Sequence, residues 1–306
     1  MSHSPPPDLA IVPRHVALQF ERRQPWRDAA FLHQEIGERM LERLAYIRLA
    51  PAALLDAGCG AGTALAGLRA RYPDAVYHGL DQSSRALEAG RAAHGARPGG
   101  WRRWLGREPA RPETRFLAGD LARAPLADET VDLVWSNLAL HWHSRPHQVF
   151  AEWFRLLRPQ GLVMFSTYGP ATLQEVRAAV VEAGLATATL PLVDMHDFGD
   201  LLLENGFADP VMDQETLTLT YSDAAELLAD VRRLGGNPAR GRRPGLAGRA
   251  FRQRLLDALE AQRGADGQLQ LTLEVAYGHA WRASTRRQGQ ETLIPVSAIS
   301  RRRDTA

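Results

Sequence analysis

The chain has 306 residues, of which 45% are hydrophobic, with 37 basic and 35 acidic residues and a net charge of +2, enough to bury one large core and at most a small appended subdomain. Every basic residue is arginine and Cys59 is the single cysteine, which excludes lysine Schiff-base chemistry, a Walker lysine, an internal disulfide and a cysteine-rich zinc site. There is no signal peptide and no apolar run near the ~20 residues that span a bilayer, so a soluble cytoplasmic protein is expected.

Met1 to Pro13 is Pro-rich and polar, and disorder is expected there. From Ala29 to Leu49 the residues Phe31, Leu32, Ile36, Met40, Leu44 and Ile47 recur at helical spacing, which predicts a helix with a core-facing stripe. Leu54 to Gly62 then reads Leu-Leu-Asp-Ala-Gly-Cys-Gly-Ala-Gly: a short apolar strand ending in an acid, alternate glycines, and a helical pattern from Thr63. Such glycines let backbone approach a ligand, and the helix they open presents free N–H groups and a positive dipole end. A dinucleotide site of the G-x-G-x-x-G type is the first rival. Gly58 and Gly60 fit it, but Thr63 occupies its third glycine position and Asp56 precedes the turn. An acid faces phosphate badly. It suits the sulfonium and ammonium of S-adenosylmethionine, with Cys59 a small buried filler between the glycines.

Ala75 to Leu80 predicts a second strand, ending in Asp81, about 20 residues beyond the glycines, where an acid can hold ribose hydroxyls. Gly95 to Glu113 is rich in Gly, Pro, Arg and Trp and too irregular for a sheet element. Its Arg97, Arg102, Arg103, Arg107 and Arg111 share the stretch with Trp101 and Trp104, a mixture that can bind nucleic acid but lacks any recognisable nucleic-acid fold. Further strands are predicted over Thr114 to Ala118, Val131 to Ser136 and Gly161 to Thr167, followed by Asp120, Asn137 and Tyr168. Ligands of open α/β sheets sit at the carboxyl ends of strands, so Asp56, Asp81, Asp120 and Asn137 should converge on one crevice. Asp120 is placed to accept from an adenine amino group, with Leu121 and Gln82 flanking the ring. This order of features looks like a class I methyltransferase: a Rossmann-like, mostly parallel seven-stranded sheet with one antiparallel edge strand, helices on both faces and a helical cap.

Beyond it, helices are expected near Ala171 to Ala183 and from about His196 to Glu204, and alternating segments at Glu215 to Tyr221 and Gln268 to Trp281 predict antiparallel strands at the sheet edge. Between these strands, Ser222 to Arg263 is helical and arginine-rich and should lie over the crevice as a cap. The domain reading is therefore a flexible N-terminus and lid over 1–28, a cofactor-binding core over 29–221, the cap over 222–263, and a final edge strand and tail over 264–306.

Ser136-Asn137-Leu138-Ala139-Leu140-His141-Trp142, Phe150-Ala151-Glu152 to Leu157-Arg158-Pro159, Met195-His196-Asp197 with Gly206-Phe207-Ala208-Asp209-Pro210, and the terminal Ile294 to Ile299 resemble the BioC family. These are malonyl-carrier-protein O-methyltransferases of biotin synthesis, and the likeness runs from about Phe31 to the tail. The resemblance implies methyl transfer from S-adenosylmethionine to the free carboxylate of a malonyl thioester. A carboxylic acid ordinarily titrates at roughly pH 4, so its carboxylate needs no general base, which fits the absence of a Ser/His/Asp or paired-acid constellation. Candidate catalytic residues are Trp142, whose face attracts cations, Tyr168 as a donor to a carboxylate or thioester oxygen, and His141. Tyr168 and His141 also have plain structural readings.

Where family members carry Phe-x-Arg followed by tyrosine, this chain has Phe20-Glu21-Arg22-Arg23-Gln24-Pro25-Trp26, one residue shorter, so Arg22 and Trp26 stand only as candidate substrate contacts. Val231 to Arg254 holds eight arginines and no acid. Such a patch, including Arg242 and Arg243, would attract an acidic acyl carrier protein, with a solvated cap as the plain alternative. Nucleic-acid base methylation is disfavoured because Asn137 is followed by Leu138-Ala139, where many amino-group methylating enzymes have paired prolines and an aromatic. The Ser136 to Trp142 phrase also resembles complex I assembly relatives associated with arginine hydroxylation, which is the rival reading.

Overall fold

The computed structural model describes residues 8–23, 30–95, 112–243, 245 and 248–283. Trp26, the Arg97 to Arg111 stretch with its two tryptophans, and Ile294 to Ile299 lie outside these residues. Strand β1 (Ala53–Ala57) is buried along its whole length, as a strand covered on both faces must be. It pairs in parallel with β2 (Val76–Asp81) and β4 (Val131–Asn137). β3 (Thr114–Ala118) adds outside β2 and β5 (Leu157–Tyr168) outside β4, both parallel. The seven-stranded order is β3-β2-β1-β4-β5-β7-β6, which reverses direction beside β1, the place where open α/β sheets open a ligand crevice.

The antiparallel strand is β7 (Leu269–Arg282), paired antiparallel with both β5 and β6 (Phe207–Tyr221). It lies one place in from the edge, and β6 is outermost. Burial explains the order: β7 is buried through most of its length, whereas β6 alternates between half-buried and exposed, the pattern an edge tolerates. β6 also starts earlier than its alternation suggests, because Asp209-Pro210 sits at a register shift, with Asp209 at φ 50° interrupting the pattern.

On one face pack α2 (Ala30–Leu44), α3 (Leu65–Arg71) and α4 (Ser84–His94), burying Leu32, Ile36, Met40, Leu68 and Leu87 against Trp135 and Tyr277. On the other lie α5 (Pro146–Leu156) and α7 (Met195–Glu204), whose Phe150, Trp153 and Phe198 form edge-to-face aromatic contacts among themselves and with Phe165. Pro146 opens α5 where a missing N–H costs nothing, and Ser83 and Asp194 cap α4 and α7. A third cluster joins α6 (Gln174–Glu182), α8 (Ala224–Arg233) and α9 (Arg249–Glu260) to the ends of β6 and β7. The cap therefore divides. α9 packs on α6, while the end of α8 and the loop after it reach the crevice.

Two corrections concern the N-terminus. Residues 8–13 are ordered rather than disordered: Ile11 is buried and bridges Ala239, Leu9 N–H donates to the Ser144 carbonyl at 2.8 Å, and Arg240 N–H donates to the Ala10 carbonyl at 2.7 Å. Pro13–Arg23 forms a helix, α1, which the sequence does not announce because its apolar residues are few. No helix among the described residues is long and apolar enough to cross a membrane.

Candidate active site

The glycine turn after β1 is held onto the end of β2. The N–H groups of Gly58 and Cys59 both donate to the Leu80 carbonyl, at 2.8 and 3.0 Å. Gly58 lies at φ 83°, and a Cβ there would stand 2.3 Å from the Ala139 methyl, so this position admits glycine alone. Gly60 N–H donates to Asp81 Oδ2 at 2.8 Å and Ser83 N–H to Asp81 Oδ1 at 2.8 Å. Each carboxylate oxygen keeps a lone pair for ribose hydroxyls. Burial raises the Asp81 pKa, against the pull of those backbone donors.

Around the turn one cavity is lined by Asp56, Gly58, Cys59, Gly60, Asp81, Gln82, Asp120, Leu121, Asn137 and Trp142. The structure thus brings every sequence-selected cofactor residue to one place. Asp56 is its most telling member. It is 2% exposed, it accepts from Tyr77 Oη at 2.6 Å, and burial, only partly offset by that bond, pushes its pKa up to about 7. A carboxyl so buried lacks a cation, a charge that the ammonium and sulfonium of S-adenosylmethionine would supply. The residues present fit that cofactor. Cys59 is buried and its thiol pKa is raised by burial, the state of a filler rather than a nucleophile.

Four features of this cavity are not legible in the sequence. Tyr77 pairs with Asp56 from the neighbouring strand. His143 Nε2 lies 3.1 Å from Asp120 Oδ1 and, more than any other group, holds the Asp120 pKa below the usual carboxylate range. α1 covers the cavity with Pro13, Val16 and Phe20, and docks through Glu21, which accepts from Ser84 N–H at 2.7 Å. Leu138 lines the cavity at φ 52°, held there by hydrogen bonds to the Ser166 carbonyl and hydroxyl; this left-handed backbone costs a non-glycine residue about 1–2 kcal/mol.

Asn137 lines the cavity and also has a structural task. Its Nδ2 donates to the His33 carbonyl at 2.7 Å and its Oδ1 accepts from Ser166 Oγ at 2.8 Å, so the amide ties α2 to β4 and β5 before it meets any ligand. Asn137→Ala strands both partners and is expected to cost about 2 kcal/mol of stability, read by urea unfolding.

A second cavity, of about 290 Å3, is lined by Gln19, Trp142, Tyr168, Arg177, Arg232 and Arg242 among others. Trp142 borders both cavities. Its ring packs edge-to-face on Phe20 at 5.4 Å and fills the space above Gly235, where a Cβ would lie 2.5 Å from it. Tyr168 is buried, and burial raises its hydroxyl pKa well above the ordinary value, so it stays a proton donor at neutral pH. His141 lines neither cavity. It is buried between Trp142 and Tyr168, ring centroids 4.8 and 4.6 Å away, its nitrogens have no hydrogen-bond partner among the described residues, and burial drops its pKa to about 3. Burial thus keeps the ring neutral, packed between two aromatic side chains.

The arginines also separate. Arg22 is exposed and borders neither cavity. Arg242 belongs to the second cavity, its Nε 3.3 Å from His15 Nδ1, instead of to the outer surface. Arg243 is exposed and stacks over Phe251 at 5.4 Å. No cluster of metal ligands is found among the described residues.

Residues 55–165 match a family described as a methyltransferase domain. The YcgJ protein of Bacillus subtilis shares the fold, with a TM-score of 0.54 and 15% identity over 81% of this chain and 99% of its own. A malonyl-[acyl-carrier protein] O-methyltransferase of Laribacter hongkongensis is 44% identical over 273 residues, 89% of this chain and 90% of that protein. One from Methylovorus sp. (strain MP688) is 42% identical over 269 residues, 88% of each chain. With such identity along nearly its whole length, and with the sheet order and cofactor cavity described above, the chain belongs to the malonyl-[acyl-carrier protein] O-methyltransferase family of class I methyltransferases.

Proposed function

We propose that the protein methylates the free carboxylate of a malonyl group carried on acyl carrier protein, using S-adenosylmethionine, and that the methyl ester primes pimeloyl assembly for biotin. The observation that carries this reading is the joining of two cavities at Trp142: one built for a cationic cofactor around Asp56, the other bearing Tyr168 and arginines suited to an anionic acyl group. Held by Asp56, Asp81 and the glycine turn, the cofactor would supply an electrophilic methyl on sulfonium to a carboxylate oxygen, leaving as the thioether.

The chain's own work is placement. The acyl carboxylate is ionised at neutral pH, so no residue need take a proton, which accords with the neutral His141 and the protonated Tyr168. Tyr168 Oη donates to the carboxylate, and the Trp142 face borders the developing transfer. α1 and the Gly235 loop close the site from water, which strengthens each electrostatic contact.

For the carrier protein, Arg240, Arg243, Arg249 and Arg252 are exposed and have no acidic partner among the described residues, whereas Arg233 is paired with Asp230. These four support docking of an acidic carrier. Arg243→Glu with Arg249→Glu is expected to lower kcat/KM about tenfold for malonyl-carrier protein. A small malonyl thioester lacking phosphate should change less than twofold, and equal loss on both would contradict docking. The function itself is tested by intact-mass analysis of malonyl-carrier protein after turnover. A gain of one methyl on the acyl group, removable by mild base, is expected, and methylation of the carrier polypeptide instead would refute it.

A further inference from the structure

Arg177, on the first turns of α6, borders the second cavity together with Tyr168 and Trp142. Its Nη2 donates to the Pro170 carbonyl at 2.5 Å and its Nη1 to the Thr172 carbonyl. Both carbonyls belong to the turn that follows Tyr168 at the end of β5, so guanidinium and tyrosine are fastened to one piece of backbone. A guanidinium carries five N–H donors in a planar fork, and several remain for a ligand.

Two acids act on its charge, and both accept hydrogen bonds from other groups. Glu175 accepts from Thr272 N–H at 3.0 Å and from its hydroxyl at 2.5 Å, and Glu274 accepts from Ala171 N–H at 2.6 Å. Neither forms an ion pair with Arg177, although both lie close enough to act on its charge, and burial lowers its pKa in spite of them. Arg177 is thus a half-buried, pre-positioned cation without a bonded anion among the described residues, an arrangement that stabilises only when an anion arrives. Arg232 and Arg242 differ: the first is exposed, the second is tied to His15, and both come from the cap.

We propose that Arg177 binds the carboxylate of the acyl substrate, with Tyr168 Oη as the second donor, and thereby selects a dicarboxylic monothioester over a neutral acyl chain. Fork geometry matches a carboxylate, and the two donors would turn an oxygen toward the border with the cofactor cavity at Trp142. This inference rests on the malonyl reading above.

The test uses the full chain with malonyl-carrier protein as substrate and acetyl-carrier protein as competitor. Arg177→Gln is expected to raise KM for the malonyl form about thirtyfold, with the affinity for S-adenosylmethionine and the inhibition constant of acetyl-carrier protein changed less than twofold. Arg177→Lys should recover part of the loss. If the Gln variant does not fold, the Lys variant carries the test, with KM for the malonyl form up about fivefold and acetyl inhibition unchanged. An unchanged KM in either folded variant would overturn the proposal. So would parallel weakening of malonyl and acetyl forms, which would mark Arg177 as a mere brace for the Pro170 to Thr172 turn. Failure of the unmutated protein to methylate malonyl-carrier protein would instead overturn the parent reading, and this inference with it.

Discussion

Gly58→Ala is expected to weaken S-adenosylmethionine binding at least about a hundredfold, a loss of about 3 kcal/mol or more. Two costs combine. The new methyl meets the Ala139 methyl at 2.3 Å, far inside contact distance, and the residue must hold φ 83°, which an L side chain resists. Overpacking of this kind costs about 1–3 kcal/mol and the left-handed backbone about 1–2 kcal/mol. The turn relieves both by moving, and it cannot move without pulling Gly60 N–H from Asp81 and the Gly58 and Cys59 N–H groups from Leu80. Calorimetric titration measures the loss. Adding Ala139→Gly removes the contact but leaves the backbone cost, so the double variant should recover roughly half of the lost binding free energy.

Asp56→Asn is expected to cost about a hundredfold in the same affinity, roughly 3 kcal/mol, the scale of removing one partner from a buried charge pair. Asparagine keeps an oxygen for Tyr77 Oη, so the change is chiefly one of charge. The pH dependence has a definite sign. In the ligand-free protein the carboxyl is pushed up to about 7, and a bound cation favours the ionised form. Binding must therefore displace a proton below that pH, and affinity should fall by up to about tenfold per pH unit on the acid side and level off above it. The Asn variant sets the baseline for the ligand's own titration. For stability the sign is opposite: the folded pKa exceeds the ordinary aspartate value of 3.8, so the ligand-free protein loses stability as pH rises from about 4 to 7, and the Asn variant should not show that loss.

How much of the site is readable in the sequence depends on how local each signal is. The glycine turn and the acids at strand ends lie within a few residues of the strands that place them. Strand periodicity and one Gly-rich phrase therefore locate Asp56, Asp81 and Asp120 around one cavity. Tyr77 on Asp56 and His143 on Asp120 are partners 21 and 23 residues apart in the chain, joined by strand register and by the 3-10 turn at Leu140–Trp142. Nothing in the sequence pairs them. Asn137 stands at a strand end like the acids, but the helix it grips, α2, precedes it by 104 residues at the contact. Periodicity cannot show a side chain already committed to backbone elsewhere.

The same limit hides α1 and Arg177. Ile11 is buried where the Ser144 turn and the Pro238 to Arg240 loop close around residues 9–12, and a short segment with few apolar residues reads as a tail without them. The arginine-rich stretch from Val231 to Arg254 is uniform as a sequence, yet the fold sorts it into a cavity wall at Arg242, an ion pair at Arg233 and an exposed face at Arg243 and Arg249. Arg177 lies outside that cluster, and a lone arginine in a helix is ordinary until its neighbouring acids prove to be engaged.

The reaction assigned to this site is transfer of a methyl group to a free carboxylate. It is tested most directly by incubating the protein with methyl-labelled S-adenosylmethionine and either malonyl-carrier protein or acetyl-carrier protein, which lacks that carboxylate. Label on the malonyl form alone, lost on mild alkaline hydrolysis of the ester, is the predicted result. Equal label on both forms, or none on either while the cofactor binds, would contradict it.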